Sequence, residues 1–307
     1  KRVYRQAEFV ARTLTVSTFL EDAARMLLEW ESQRVTLEII GFSPGTITPL
    51  ILMSFLVQLL GALSVISYTR PGIGCVVLLL WCVWHPLMYR QLGNLEFVAE
   101  TLSIMGGLLI LLSHLSLTIA QRRRLIDSLE ASQVHRVEGR SKRLGLAGRV
   151  LLVSLFLYGG WTRSHRFLSN RVYSVFAIAR WVTWTADGCL GAALLGVCVL
   201  VVLGMRSRFC ALLMGIVNFT TNIYLHPFWI YLFSDRVYDL PEVMGSVGRG
   251  SYPMSAELYA SHQRYFFFQS LSYTGALLLL VVHGPGQYSI DEPDPVELTS
   301  LTSKGRD

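Results

Sequence analysis

Long apolar runs separated by short polar stretches dominate the chain. A membrane-spanning helix needs about 20 mostly apolar residues. Six stretches meet this length well and a seventh is short; they lie at about 48–67, 73–89, 97–119, 149–161 (the short one), 183–204, 209–232 and 265–283. An eighth stretch, 9–30, is amphipathic and carries charges near its middle. The pattern predicts an all-α polytopic membrane protein with about eight transmembrane helices.

Composition supports this fold class and excludes several others. Charged residues are 16% of the 307 residues, against about 25% in soluble domains, and the mean hydropathy is +0.45. A disordered chain, a collagen and a disulfide-rich secreted scaffold are excluded. A large soluble enzyme is disfavoured, because there are too few charges to cover its surface. The sequence has no phosphate loop or dinucleotide fingerprint, so neither catalysis nor a cofactor is predicted.

The sequence gives no indication of metal or disulfide chemistry. The five cysteines fall in or beside apolar runs and form no CxxC pair. His85 and His226 each precede a proline, which is typical of a helix end, and no further ligand accompanies them. We therefore expect no metal site.

The distribution of basic residues predicts the orientation in the membrane. The longest polar interval, 120–148, is rich in arginine and lysine, which places it in the cytosol by the positive-inside rule. Four spans on each side then place both termini in the cytosol as well. A cluster of arginines from Arg163 to Arg171 argues against this orientation. The basic interval lacks interleaved aromatic residues, so no nucleic-acid binding is expected.

The two halves of the sequence resemble each other. Short motifs recur in the same order, and the separation between the copies rises from 137 to 141 to 169 along the chain, which indicates insertions in loops of the second half. The matches are Arg12-x-Leu14-x-Val16-Ser17-x-Phe19-Leu20 with Arg149-x-Leu151-x-Val153-Ser154-x-Phe156-Leu157, His85-Pro86 with His226-Pro227, and Leu102-Ser103…Gly106…His114 with Leu271-Ser272…Gly275…His283.

This repetition predicts two tandem parallel four-helix repeats, related by an axis along the membrane normal. It is also the reason to count 9–30 as a span, because its counterpart in the second half is apolar. The predicted division is a first repeat at 1–120, a basic cytosolic linker at 121–147, a second repeat at 148–285 with a lumenal insertion at 233–263, and a cytosolic tail at 286–307.

Three charged residues lie inside the first predicted span: Glu21, Asp22 and Arg25. A charge in the bilayer costs about 2.5–3.5 kcal/mol on insertion scales unless it is paired or faces water. Their spacing places both carboxylates within one helical turn of Arg25, so we expect ion pairs facing the bundle interior. Such residues either bind the charged group of a ligand or lock helices together. Because the matched positions of the second half are uncharged, the repeat favours the ligand-binding role over the structural one.

Two further polar residues inside spans are candidates for the same site. Asp187 is a second intramembrane carboxylate, which could pair with Arg180 or line the same cavity. Asn218 and Asn222 lie one turn apart in the seventh span, a spacing typical of hydrogen bonds between membrane helices. We retain Asn222 as a candidate ligand-binding residue.

Several motifs resemble one known family. The segment Ser17-Thr18-Phe19-Leu20-Glu21-Asp22-Ala23-Ala24-Arg25-Met26 is similar to the first helix of the Surfeit locus protein 4 family, the cargo receptors of the endoplasmic reticulum. Resemblance continues along the chain in Gly148-Arg149-Val150-Leu151-Leu152, in Asn222-x-Tyr224…Phe228-Trp229, and in Phe267-Phe268-Gln269…Gly275…Leu277-Leu278-Leu279 followed by Gly284-Pro285-Gly286…Ser289-x-Asp291-Glu292.

The resemblance implies a non-enzymatic multi-pass protein of the endoplasmic reticulum membrane that cycles to the Golgi. It implies binding of lumenal secretory cargo, loading of that cargo into vesicles, and contact of the cytosolic segments with vesicle coat proteins and of the spans with membrane lipids. Such receptors are described as reading short signals near cargo N-termini, and a carboxylate pair such as Glu21 and Asp22 is chemically suited to a free α-amino group.

Two features depart from the family pattern. The segment Ser303-Lys304-Gly305-Arg306-Asp307 contains no lysine pair for retrieval, and the 233–263 insertion is longer than expected. Two alternatives therefore stay open: an accessory or structural subunit of a larger membrane complex, and a small-molecule or ion carrier built around the intramembrane charges. A subunit predicts charges buried against other chains, whereas a carrier predicts a path that opens to both sides.

Overall fold

A computed structural model describes residues 2–126, 131–169, 177–233, 238–239, 253–286 and 288–290. Within these residues the chain folds into twelve helices and one pair of two-residue strands. The helices are α1 (Arg2–Thr15), α2 (Ser17–Leu28), α3 (Trp30–Ile40), α4 (Pro44–Ile66), α5 (Pro71–Met88), α6 (Leu95–Ile126), α7 (Ala131–Leu152), α8 (Ser154–Leu168), α9 (Ala177–Leu203), α10 (Ser207–Leu225), α11 (Phe228–Tyr231) and α12 (Ala256–His283). Strands β1 (Tyr238–Asp239) and β2 (Pro253–Met254) pair antiparallel. Most of the 233–263 insertion and of the 286–307 tail lies outside the described residues.

Seven helical stretches are long and apolar enough to cross a membrane. Their most apolar windows are only 17–50% buried inside the protein. The outward faces carry large apolar side chains such as Leu60 and Phe209, which are 61% and 66% exposed. So much exposed apolar surface on helices is stable only against lipid. The prediction of an all-α polytopic membrane protein is confirmed.

The first stretch differs from the predicted continuous span. The helix breaks at Val16, so that 9–30 is divided between α1 and α2, and neither helix is among the seven apolar ones. The break releases the amide of Thr18, which donates to Ser272 Oγ on α12 at 3.0 Å. Ser17 Oγ donates to the carbonyl of Phe268 at 3.2 Å. The break therefore joins the first helices of the chain to the last.

The same arrangement occurs in the second half of the chain. The helix breaks again at Val153, between α7 and α8. The amide of Leu155 donates to Ser103 Oγ on α6 at 3.1 Å, and Ser154 Oγ donates to the carbonyl of Ala99 at 2.7 Å. Each of these residues is separated from its counterpart in the other half by 137 or 169 positions. The shared contacts support the predicted duplication, whose domain division stays a prediction.

The two halves exchange partners. The helices of the first half pack in order from α2 through α4 and α5 to α6, and α6 then packs against α7 and α8. The helices of the second half follow in the same way from α8 through α9 and α10 to α12, and α12 packs against α1 and α2. Each half thus places its last helix against the first helices of the other half.

The helices α6 and α12 also contact each other at the centre, in what we call the α6–α12 seam. The seam is built from pairs of residues separated by 169 positions, and successive pairs are seven residues apart. Because seven residues are two helical turns, the pairs lie along one line. A Cβ on Gly107 would lie only 2.5 Å from the Cβ of Ala276, so the backbones approach closely. The pairs are Glu100 with Gln269, Gly107 with Ala276, and His114 with His283.

We expect replacement of Gly275 by alanine to destabilise the protein. An added Cβ would lie 2.3 Å from the backbone nitrogen of Thr15, so α1 must move away from α12. Overpacking of this kind costs about 1–3 kcal/mol. The measurement is the thermal melting temperature of the purified protein in detergent. Gly196→Ala in α9 is the matched control, because nothing lies within 4 Å of its added Cβ. An equal melting temperature for both variants would contradict the packing.

Candidate binding site at the acidic end

Three carboxylates lie at the end of the bundle where α2 ends and α12 begins, which we call the acidic end: Glu21, Asp22 and Glu29. Glu21 and Asp22 are each only 6% exposed. Asp22 forms the predicted salt bridge with Arg25, one turn along α2. The Arg25 guanidinium also lies over the ring of Tyr265 on α12, 4.8 Å from its centroid. The α2 charges therefore face α12 inside the bundle, as their pattern predicted.

A second cation at the acidic end comes from α12. Arg264 Nε donates to Glu21 Oε1 at 3.1 Å, and Arg264 Nη2 donates to Glu29 Oε1 at 2.9 Å. The Ser261 hydroxyl also donates to Glu29. Three carboxylates thus share the two guanidiniums of Arg25 and Arg264. The group carries an excess of one negative charge when all five side chains are ionised, and among the described residues Glu21 Oε2 is buried without a hydrogen-bond partner.

A polar pair on the α6–α12 seam adjoins the acidic end. Gln269 Nε2 donates to Glu100 Oε2 at 2.9 Å. Gln269 Oε1 and the Tyr273 hydroxyl are buried nearby on α12 without a hydrogen-bond partner in the described part of the chain. A buried acceptor or hydroxyl without a partner costs about 1–3 kcal/mol. The acidic end and its surroundings therefore hold several buried polar atoms that have no hydrogen-bond partner among the described residues.

Aromatic side chains of α11 and α12 pack together beside these charges. Phe228 contacts Phe267 edge-on with centroids 5.4 Å apart, and Trp229 contacts Phe267 at 5.7 Å. His226 stacks on Phe266 at 5.5 Å and shares a hydrogen bond with Gln263. These aromatic side chains thus pack against one another on α11 and on the helix that carries Arg264 and Tyr265.

A tyrosine on the loop after α5 extends the site on its other side. Tyr89 donates to Gln33 Oε1 on α3 at 3.1 Å, and its ring lies 4.7 Å from that of His85. Burial, together with the nearby Asp22 carboxylate, raises the pKa of Tyr89 to about 12. Its hydroxyl therefore stays protonated and able to donate at neutral pH.

Asp187 lies in a different place from the α2 charges. It pairs with Arg163 Nη1 at 3.1 Å and with Arg166 Nη2 at 3.5 Å, across the contact between α8 and α9. These are two of the arginines that argued against the predicted orientation, and the pairing neutralises part of that cluster. The side chain of the expected partner, Arg180, lies outside the described residues. In the described part of the chain α9 packs against α7, α8 and α10, so Asp187 lies apart from the charges of α2.

Asn222 links α10 to α12 close to the acidic end. Its side-chain amide donates to the carbonyl of Phe267 at 3.0 Å, and its Oδ1 is buried without a hydrogen-bond partner among the described residues. Asn218 donates to Ser270 and Thr274 one turn further along. Both asparagines thus hold helices together, as their spacing predicted, and a ligand role for Asn222 stays a prediction.

Sequence reasoning missed the residues that complete this site. Arg264, Glu29 and Glu100 lie on three separate segments, and their grouping depends on the packing of α2 and α6 against α12. One signal was present: the repeat offset of 169 pairs Glu100 with Gln269. If the two repeats meet at a symmetry axis, residues at matching positions lie close together there. The correspondence then predicts that Glu100 and Gln269 are neighbours.

Comparisons with known proteins match nearly the whole chain. The family model described as "SURF4 family" matches residues 2–242. A Surfeit locus protein 4 homolog of Schizosaccharomyces pombe is 28% identical over 92% of this chain and 80% of its own length. A Surfeit locus protein 4 homolog of Drosophila melanogaster is 27% identical over 92% of this chain and 88% of its own. The ER-derived vesicles protein ERV29 of Saccharomyces cerevisiae is 24% identical over 92% of this chain and 75% of its own. No solved structure matches the chain significantly.

We expect Arg264→Gln to lower the melting temperature in detergent, because it leaves Glu21 and Glu29 without their shared cation. Loss of one partner from a buried charged group costs about 3–5 kcal/mol, and less where water reaches the group. Arg34→Gln is the matched control: Arg34 also pairs with two glutamates, but its side chain is 49% exposed. Exposed pairs are worth about 0–1 kcal/mol. Equal melting temperatures would show that the acidic end does not depend on Arg264.

Proposed function

Because the chain belongs to the SURF4 family, we propose that it is a transmembrane cargo receptor that binds lumenal secretory proteins for export from the endoplasmic reticulum to the Golgi. One relative, the ER-derived vesicles protein ERV29, is by its name a protein of vesicles derived from the endoplasmic reticulum. Seven apolar helices support a multi-pass location in that membrane. In this proposal the protein is not an enzyme, and its cytosolic segments contact vesicle coat proteins.

The orientation of the helices relates the acidic end to the lumen. Helix α6 begins at the acidic end, at Leu95, and runs into the basic interval 120–148 at the opposite end. If that interval is cytosolic, as the positive-inside rule predicts, the acidic end faces the lumen. Both termini then lie in the cytosol, and the acidic end is where a secretory protein would arrive.

The observation that carries the proposal is the excess of carboxylate over guanidinium at the acidic end. A free α-amino group carries the one positive charge that the group of Glu21, Asp22, Glu29, Arg25 and Arg264 lacks. The unpartnered Glu21 Oε2 is an acceptor for it. Charge-assisted hydrogen bonds of this type are about twice as strong as neutral ones. We propose that Glu21 and Asp22 receive the amino group of the cargo.

The aromatic surface supplies the second part of the proposed recognition. Phe228, Trp229 and Phe267 lie beside the charged group, so residues that follow the cargo N-terminus would pack against them. Aromatic rings provide large contact area with little loss of side-chain freedom. The combination would read a short N-terminal signal through one charge and a few apolar side chains.

We expect export of cargo to fail in Asp22→Ala and in the double variant Glu21→Gln with Asp22→Asn, because each removes acceptors for the amino group. The measurement is the rate at which secretory proteins leave the endoplasmic reticulum in cells that depend on the variant, by pulse-chase. Glu38→Gln is the matched control, since Glu38 is an exposed carboxylate that, among the described residues, pairs with Arg34 on the same helix. Each variant must first show a normal melting profile. Normal export in both acidic-end variants would rule the mechanism out.

A binding experiment tests the amino group directly. A photo-crosslinkable peptide with the N-terminal sequence of an exported protein should label the purified receptor, and acetylation of its N-terminus should weaken binding at least tenfold. The tenfold expectation corresponds to about 1.4 kcal/mol, the lower range for one charged hydrogen bond. Equal labelling by the acetylated peptide would refute recognition of the charge.

The alternative of a structural subunit makes a different prediction. Affinity purification of the protein in mild detergent should yield coat subunits together with many substoichiometric secretory proteins. A fixed, stoichiometric set of other membrane subunits would instead support the accessory role. If those subunits covered Glu21 and Asp22, they would supply the hydrogen-bond partner that Glu21 Oε2 lacks among the described residues.

A further inference from the structure

A second group of chemically reactive side chains lies at the opposite end of the α6–α12 seam, which we call the histidine end after His114 and His283. Glu8 of α1 meets these two histidines there. Each of the three offers one ligand atom, and these atoms all lie within 4.8 Å of one another. The histidine rings stack with centroids 3.6 Å apart. The proposed cargo site uses none of these residues.

One histidine nitrogen has the arrangement typical of a metal ligand. His283 Nδ1 shares a hydrogen bond with the Tyr4 hydroxyl at 3.1 Å. Its other nitrogen, Nε2, is buried and has no hydrogen-bond partner among the described residues. Metal-binding histidines commonly use one nitrogen for an orienting hydrogen bond and the other for the ion. The orphaned Nε2 therefore points to a missing partner.

The carboxylate is held in a similar way. Tyr68 donates to Glu8 Oε1 at 2.6 Å and Arg12 Nη2 donates to the same oxygen at 3.0 Å. Both contacts leave the second oxygen of Glu8 available. The Glu8 side chain is only 11% exposed, so its position is fixed by packing as well as by these bonds.

The surrounding charges restrict which ion could bind. Arg12 contacts Glu8, and Arg5 lines an adjacent cleft of about 690 Å³ together with Tyr4, Glu8 and Tyr68. These guanidiniums oppose an ion held mainly by charge, such as Mg²⁺ or Ca²⁺, which prefers several oxygen ligands. Imidazole nitrogens instead favour zinc and its neighbours in the transition series. The cleft offers such an ion a route to Glu8.

We propose that Glu8, His114 and His283 form a binding site for a divalent cation of the Zn²⁺ class. Three protein ligands would leave a fourth tetrahedral position to water from the cleft. Ligand atoms around zinc lie about 3.3 Å apart, given bonds of about 2.0–2.1 Å, so binding would draw the three side chains closer together. It would also turn the two stacked imidazole rings until one nitrogen of each points at the ion. Because the ligands come from α1, α6 and α12, the ion would fasten the first helix of the chain to the seam.

Direct metal measurements test this site in the full-length protein. After purification in detergent, exposure to Zn²⁺ and removal of loose metal by gel filtration, we expect about one zinc per chain by mass spectrometry. Co²⁺ should give the intense visible absorption of a tetrahedral site, and Zn²⁺ should abolish it. Zn²⁺ should also raise the melting temperature of the wild-type protein, because it binds only the folded state.

Variants identify the ligands. His283→Ala, His114→Ala and Glu8→Gln should each weaken zinc binding at least tenfold. His262→Ala is the matched control, since His262 packs on Phe266 near the acidic end. Retention of stoichiometric zinc by His114→Ala and His283→Ala would overturn the assignment. Failure of the wild-type protein to bind Zn²⁺ or Co²⁺ at micromolar concentration would overturn it even if a variant did not fold.

Discussion

The structure depends on how closely α12 and α6 approach the helices of the opposite half. Helices in a membrane gain little from the hydrophobic effect, so small residues and interhelical hydrogen bonds must hold them together. Here each contact consists of a helix break, a glycine and a serine: Gly275 faces Thr15, and Ser272 accepts the amide that the break releases. The same contact occurs between α6 and α7–α8. The two contacts and the seam between α6 and α12 fix the positions of both ends of the bundle.

The two halves share their backbone contacts and differ in their charges. Arg12 and Arg149 occupy matching positions and are both almost fully buried. In contrast, the acidic residues of α2 have uncharged counterparts in α8, and Glu100 faces Gln269 rather than a second glutamate. Shared contacts preserve the scaffold, whereas the unshared charges create a site at only one of the two matching contacts, the one between α2 and α12. The acidic end therefore lies where the two halves differ, whereas the histidine end is built on the matched pair His114 and His283.

Much of this could be predicted from the sequence, and the remainder was inaccessible for physical reasons. Hydropathy predicted the apolar spans, and local spacing predicted the pair between Asp22 and Arg25, because both depend on neighbours within a few turns. The break at Val16 carries no glycine or proline signal, and the serine that accepts the Thr18 amide there lies 254 residues further along the chain. The partners Arg264 and His283 could not be identified, because only the folded helices bring them to α2 and α1.

The exchange of partners has a consequence for how the protein is made. Ser17 and Ser272, which hydrogen-bond to each other, are separated by 255 residues. At a synthesis rate of about 5–20 residues per second, α1 and α2 wait on the order of 10–50 s for α12 to emerge. During that interval the charges of α2 lack Arg264 and the cover that α12 provides. Helices α1 and α2 therefore enter the membrane before their partner α12 has been made. This makes them the part of the chain most dependent on the insertion machinery and on its quality control.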